Sequence, residues 1–207
     1  MNKHDVSMLL SKRALLALAC AILAAFAVSV RAQSIQELRY YNIPSEVYQI
    51  GGWTGLTAND ARMLKKAMTD DLAQLSKGCD ESVSFEDVDA SAIDFGKLGK
   101  GLIARVNHPC LCKNGNCPVI VALKDSTQYK IVLRGVQAWG YALFTEHTDS
   151  PDVVLASHVS SSETALLHYH LADGVLRQQT CETAVSDQKE ADHWNPKAMA
   201  LKPCTKN

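Results

Sequence analysis

Most motifs that would announce a chemistry are missing from this chain. It has no G-x-S-x-G, no H-E-x-x-H, no P-loop and no G-x-G-x-x-G. Nucleophile elbows, zincin sites and nucleotide cradles therefore have no sequence support. Serine, histidine and aspartate occur, but no spacing orders them into a triad. An excess of basic charge is also missing, with 21 Lys and Arg against 22 Asp and Glu. The electrostatic footprint of a nucleic-acid binder is absent, and no nucleic-acid partner is expected. The acidic stretches Asp87-Val88-Asp89 and Asp149-Ser150-Pro151-Asp152 lack the alternating oxygen ligands and glycine of a calcium loop. No cofactor is expected, and no enzyme.

Long apolar runs are scarce too. Only one occurs, Ala14–Val28, and it follows the basic residues Lys3, Lys12 and Arg13. With Val30-Arg31-Ala32 behind it, residues 1–32 read as a secretory signal peptide, since the run is short for a spanning helix. Cleavage after Ala32 leaves 175 residues with 17 basic and 21 acidic side chains, a net charge of −4. No membrane span is expected after cleavage. Residues 33–207 suit a single periplasmic or secreted domain with its own core.

Six cysteines remain in that part: Cys79, Cys110, Cys112, Cys117, Cys181 and Cys204. An even count in an exported chain reads as three disulfides. Asn114-Gly115 is the strongest short hairpin signal, because a type I′ turn needs φ > 0 at both central residues. Lys113 then pairs with Asn116. Cys112 sits opposite Cys117 in a non-hydrogen-bonded pair, about 4.5 Å apart at Cα and within disulfide reach. Cys181–Cys204 closes the tail, and Cys79–Cys110 follows by elimination. The rival reading is a soft-metal site on His108, Cys110, Cys112 and Cys117, though Cys-x-Cys is not the usual Cys-x-x-Cys knuckle.

The expected fold is α+β and mainly β. Ser34-Ile35-Gln36-Glu37 fits a capping box for a short helix, broken at Pro44 and Gly51-Gly52. An amphipathic helix covers 57–77, with Thr57 as N-cap, Asp60 in the first turn, and Leu64, Met68, Leu72 and Leu75 along one stripe. Gly78 stops it. Two antiparallel four-stranded meanders follow. The first covers 83–133, with strands at 83–88, 102–106, 119–123 and 129–133. The second covers 139–180, with strands at 139–146, 152–158, 165–171 and 175–180 and an I′-type turn at Asp173-Gly174. A polar, loop-like tail fills 182–207. Two meanders cannot close a propeller, so they pack against each other with the helix over a face or an edge.

His158, His168 and His170 are the candidate metal ligands. Residues i and i+2 share a strand face. A five-residue loop at Ser160–Thr164 brings His158 onto that face, diagonal to the pair at about 7–8 Å. Val153, Leu155, Leu167, Tyr169 and Leu171 then face the core and leave the histidines outside.

Asn114-Gly115-Asn116-Cys117-Pro118 with its apolar strand, Pro151-Asp152-Val153-Val154-Leu155, and Tyr169-His170-Leu171-Ala172-Asp173-Gly174 together resemble a group of small exported bacterial proteins. The likeness covers about Val83–Cys181. It implies export and no particular activity. The Pro-Asp-Val-Val-Leu stretch also resembles FG-GAP-type repeats, but their D-x-D-x-D-G loop is missing here. The reading that joins these features is a non-catalytic exported binding module with a protein or envelope partner. An inhibitor of an extracellular hydrolase is one concrete form. The alternatives are a metal-binding protein or metal-dependent enzyme using the three histidines, and a structural envelope protein.

Overall fold

The computed structural model describes residues 44, 46–144, 152–186 and 199–204. Residues 1–32, expected as a signal peptide, the short helix expected from Ser34, residues 147–151 and Trp194 lie outside the described residues. What is described belongs to one unit, Pro44–Asn207.

Two short strands come first, β1 (Tyr48–Gln49) and β2 (Trp53–Thr54), and neither is expected from the sequence. The helix α1 then covers Ala58–Ser76. Its capping box is complete: Thr57 accepts from the Asp60 N–H at 3.2 Å, and Asp60 accepts from the Thr57 N–H at 2.9 Å. Leu64, Met68 and Leu72 are its buried stripe.

The first long strand starts later than the sequence pattern suggests. Ser84 and Asp87 form a second capping box around a 3-10 turn, Phe85–Asp87, so the chain is not extended there. Strand β3 is Val88–Asp94, through the small and acidic residues expected to form a loop. Ala90 is fully buried in the layer that packs on α1, and Asp89 is held by Arg105 at 3.1 Å and by the Gly52 N–H at 2.9 Å. Strands β4 (Lys100–Val106), β5 (Cys117–Asp125) and β6 (Gln128–Ala138) complete this meander. The short β2 adds in parallel beside β3, making five strands in the order β2-β3-β4-β5-β6.

The second meander follows in β7 (Gly140–Phe144), β8 (Asp152–His158), β9 (Glu163–Ala172) and β10 (Val175–Ser186). The tail is not simply loop. Strand β10 runs six residues beyond Thr180, and β11 (Met199–Pro203) pairs with it from Glu182↔Pro203 to Ser186↔Met199. With β1 against β7, the second sheet has six strands in the order β1-β7-β8-β9-β10-β11. Asp173 and Gly174 take φ of 54° and 72°, as an I′-type turn requires.

Alternation of side chains sorts the strands into layers. Ile93, Ile103, Val119 and Val121 of the five-stranded sheet pack with Tyr141, Val153, Leu155 and Tyr169 of the six-stranded sheet. The sheets therefore lie face to face, with the main core between them. On the other face of the five-stranded sheet, Ala90, Leu102, Ala104, Ile120 and Ala122 receive Leu64, Met68 and Leu72 of α1. A smaller cluster of Ala142, Val154, Ala156, Leu166 and Ala184 covers the outer face of the six-stranded sheet. No helix among the described residues is long and apolar enough to cross a membrane.

Three disulfides are present: Cys79–Cys110, Cys112–Cys117 and Cys181–Cys204, with Cα separations of 5.8, 4.2 and 5.5 Å. The expected turn lies inside the second. Lys113 and Asn116 exchange backbone bonds of 2.8 and 2.9 Å, and Asn114 and Gly115 take φ of 51° and 76°. These bridges fit an oxidising, extracytoplasmic environment.

Candidate functional site

Strand register brings several strand ends together at one end of the six-stranded sheet. Gln49 pairs with Gly140, His158 with Thr164, and Ser186 with Met199. Between them is a pocket of about 840 Å³. Trp139, Met199, Val47 and Ala184 supply apolar wall, while Ser160, Ser161, Ser162, Thr164, Gln49 and Asn114 supply hydroxyls and amides.

Trp139 is placed by the crossover from β6 to β7, where the chain leaves one sheet for the other. Its N–H bonds the Ala156 carbonyl at 2.9 Å. Its ring stacks on His158 with centroids 4.9 Å apart and planes at 11°. The indole N–H is shut off from solvent and has no hydrogen-bond partner. Gly140 beside it has to be glycine, because a Cβ there would lie 2.8 Å from both the Tyr48 carbonyl oxygen and Val47 Cγ1. That close approach is what lets β1 form one side of the pocket.

His158 is fixed through its backbone. The buried Asn116 amide donates to the His158 carbonyl at 2.9 Å and accepts from its N–H at 2.8 Å. The side chain thus acts as a strand partner and ties the Asn114-Gly115 turn to the end of β8. The His158 side chain is exposed, and the desolvation it does meet lowers its pKa, which favours the neutral ring. No Asp, Glu, Lys or Arg side chain of the described residues lines the pocket.

The chain matches no protein-family model, no curated protein and no solved structure. Its reading rests on its own residues.

The three histidines expected to meet do not. The loop is shorter than supposed: the Val159 and Ser160 N–H groups both donate to the Glu163 carbonyl, at 2.9 and 3.2 Å, and His158 pairs with Thr164 rather than Leu166. His168 lies opposite Val154, four residues from His158 along β8. Each histidine has a separate environment. His170 Nδ1 is 2.6 Å from Asp152 Oδ1, directly across the strands. His168 stacks against Phe144 and holds Nε2 3.9 Å from Glu182 Oε2. Both of those atoms are buried and lack a hydrogen bond. Burial lowers the His168 pKa, with Asp152 opposing. The division of core and outer faces is as expected, since Val153, Leu155, Leu167, Tyr169 and Leu171 all pack between the sheets.

The soft-metal reading also changes. Ligand atoms of Cys79, His108 and Cys110 lie within 4.8 Å of one another. The two sulfurs are bonded to each other, and Cys112 is bonded to Cys117, so none of the four is a thiolate ligand in this state. The pocket residues themselves carry no motif. Ser160-Ser161-Ser162 reads as ordinary loop material, and only the register of three strand pairs reveals what the serines face.

Proposed function

We propose that this chain is an exported, non-catalytic binding module whose ligand sits in the pocket between Trp139, His158 and the Ser160–Ser162 loop. The observation that supports it is a preformed cavity of ligand size, built from neutral polar groups beside an aromatic stack. Catalysis has less support. The one histidine–carboxylate contact of hydrogen-bond length among the described residues is His170–Asp152, and no hydroxyl or thiol of a described residue bonds that ring. Three disulfides hold the framework of such a module.

The test is native mass spectrometry of the mature chain after incubation with fractionated envelope extract. Wild type should carry a stoichiometric adduct. Val159→Arg, a charge placed at an exposed position of the rim, should lose it and keep its melting temperature. An adduct of protein mass would favour the hydrolase-inhibitor form. No adduct with any fraction would move the balance to a structural envelope role. The metal alternative keeps one observation, the buried and unpartnered His168 Nε2 and Glu182 Oε2. A stoichiometric zinc adduct removed by His168→Ala with an intact fold would favour it.

A further inference from the structure

We infer that the pocket's ligand is an uncharged saccharide, a short stretch of neutral glycan. This rests on the proposed binding role and names the chemistry of the ligand.

Charge decides the class first. Among the described residues that line the pocket there is no cation to meet a phosphate or carboxylate and no anion to meet an amine. His158 is the one titratable group of that described lining, and desolvation lowers its pKa, which favours the neutral ring. Just outside, next to the serine loop, Lys202 Nζ lies 2.6 Å from Glu163 Oε1 and the two are paired. Against these described residues a charged ligand would give up its hydration with no counter-charge in return, a loss of the kind proteins avoid. Nucleotides, phosphate esters, acidic glycans and free amino acids are therefore poor fits.

The polar groups decide next. Serine and threonine hydroxyls both donate and accept, and the Gln49 and Asn114 amides offer one donor end and one acceptor end each. Such a lining matches a ligand whose own polar groups are hydroxyls, able to take either role at each position. The apolar wall matches the other property of a sugar ring. A pyranose presents C–H bonds on its faces, and these pack on aromatic and thioether surfaces such as the Trp139–His158 stack and Met199. A steroid or fatty acid would leave the hydroxyl side unsatisfied.

An extended peptide is the nearest competitor, because it too is neutral along its backbone. It binds best by adding to an open strand edge. The edge strands β1 and β11 that reach this pocket are short and paired on their inner sides, Gln49 with Gly140 and Met199 with Ser186, so the peptide is kept as a separate arm of the test.

The experiment is a titration of the 15N-labelled mature chain with three kinds of probe: neutral oligosaccharides of glucose, galactose, mannose and N-acetylglucosamine; an oligogalacturonate; and an end-capped neutral peptide. The expected result is saturable amide shifts at residues 158–164 with at least one neutral oligosaccharide and none with the oligogalacturonate. Ser161→Ala/Ser162→Ala and, separately, His158→Ala should weaken that binding by about tenfold with unchanged spectra elsewhere. The serines are exposed, so the first variant tests binding and not folding. Silence of all the neutral sugars, equal binding of the acidic one, or shifts away from residues 158–164 would overturn the saccharide. Peptide binding at the same residues would overturn it while leaving the binding role in place. Failure of the binding role itself shows separately, as the absence of any adduct from envelope extract.

Discussion

Asp60 has four partners and little contact with water. Its carboxylate accepts from Lys124 at 2.7 Å, the Tyr129 hydroxyl at 3.0 Å, and the Thr57 hydroxyl and N–H at 2.6 and 2.9 Å. These bonds, the Lys124 one foremost, hold its pKa well below the usual carboxylate range. Tyr129 is correspondingly pushed up, by burial and by the same carboxylate. Asp60→Ala should cost about 3 kcal/mol, since it removes a cap and leaves a buried hydroxyl and a lysine without their partner. Urea denaturation checks it. Because the folded pKa is depressed, the contribution is complete above pH about 4 and disappears as pH falls below it. His168 works at a higher pH. Its folded pKa is lowered by burial, so the unfolded chain takes up the proton first, and stability should decline as pH drops below about 6.5. His168→Gln should flatten the melting temperature between pH 7 and 5; an unchanged slope would mean the ring is not shielded. At this scale the sequence was informative where one position acts through its own backbone. The roles of Thr57, Asp60, Asn114 and Gly115 follow from local geometry. The Asn116–His158 bond spans 42 residues and cannot be read locally.

Elements show the same division. Helix α1 was legible because one stripe, one cap and one stop signal agree. The interiors of β4, β5 and β8 were legible because their apolar runs are short and bounded. Strand β3 was not, because its small and acidic residues carry a loop's composition. Val88, Ala90 and Ile93 make it a strand by packing against neighbours that sequence alone does not reveal. Strands β1, β2 and β11 are short edge elements recruited by partners already in place. For β11 the recruiter includes a covalent bond. Cys181–Cys204 fastens the strand to β10, and Cys204 N–H also bonds the Cys181 carbonyl at 3.2 Å. Replacing both cysteines with serine should lower stability by about 3 kcal/mol on the loop-entropy account. Hydrogen exchange should localise part of that loss to Met199–Pro203 and the end of β10. Because Met199 and Ser186 line the pocket, ligand affinity should fall in the same variant.

For the whole molecule, the two-meander architecture with a helix was open to sequence reading because each meander uses consecutive segments. The pocket was hidden because it belongs to no segment. It draws on β1, the Asn114-Gly115 turn, the β6–β7 crossover, the β8–β9 loop and both strands of the tail. The disulfides, by contrast, respect chain order. First joins second, third joins fourth, and fifth joins sixth, counting from Cys79. For a chain delivered N-terminus first into an oxidising compartment, that order has a consequence for biogenesis. Each cysteine finds its correct partner as the next one to emerge, so an oxidase that links thiols in order of arrival makes the native set without later correction. Yield of the native oxidised protein should depend on that oxidase and be indifferent to loss of a disulfide isomerase, an outcome readable by thiol trapping during export.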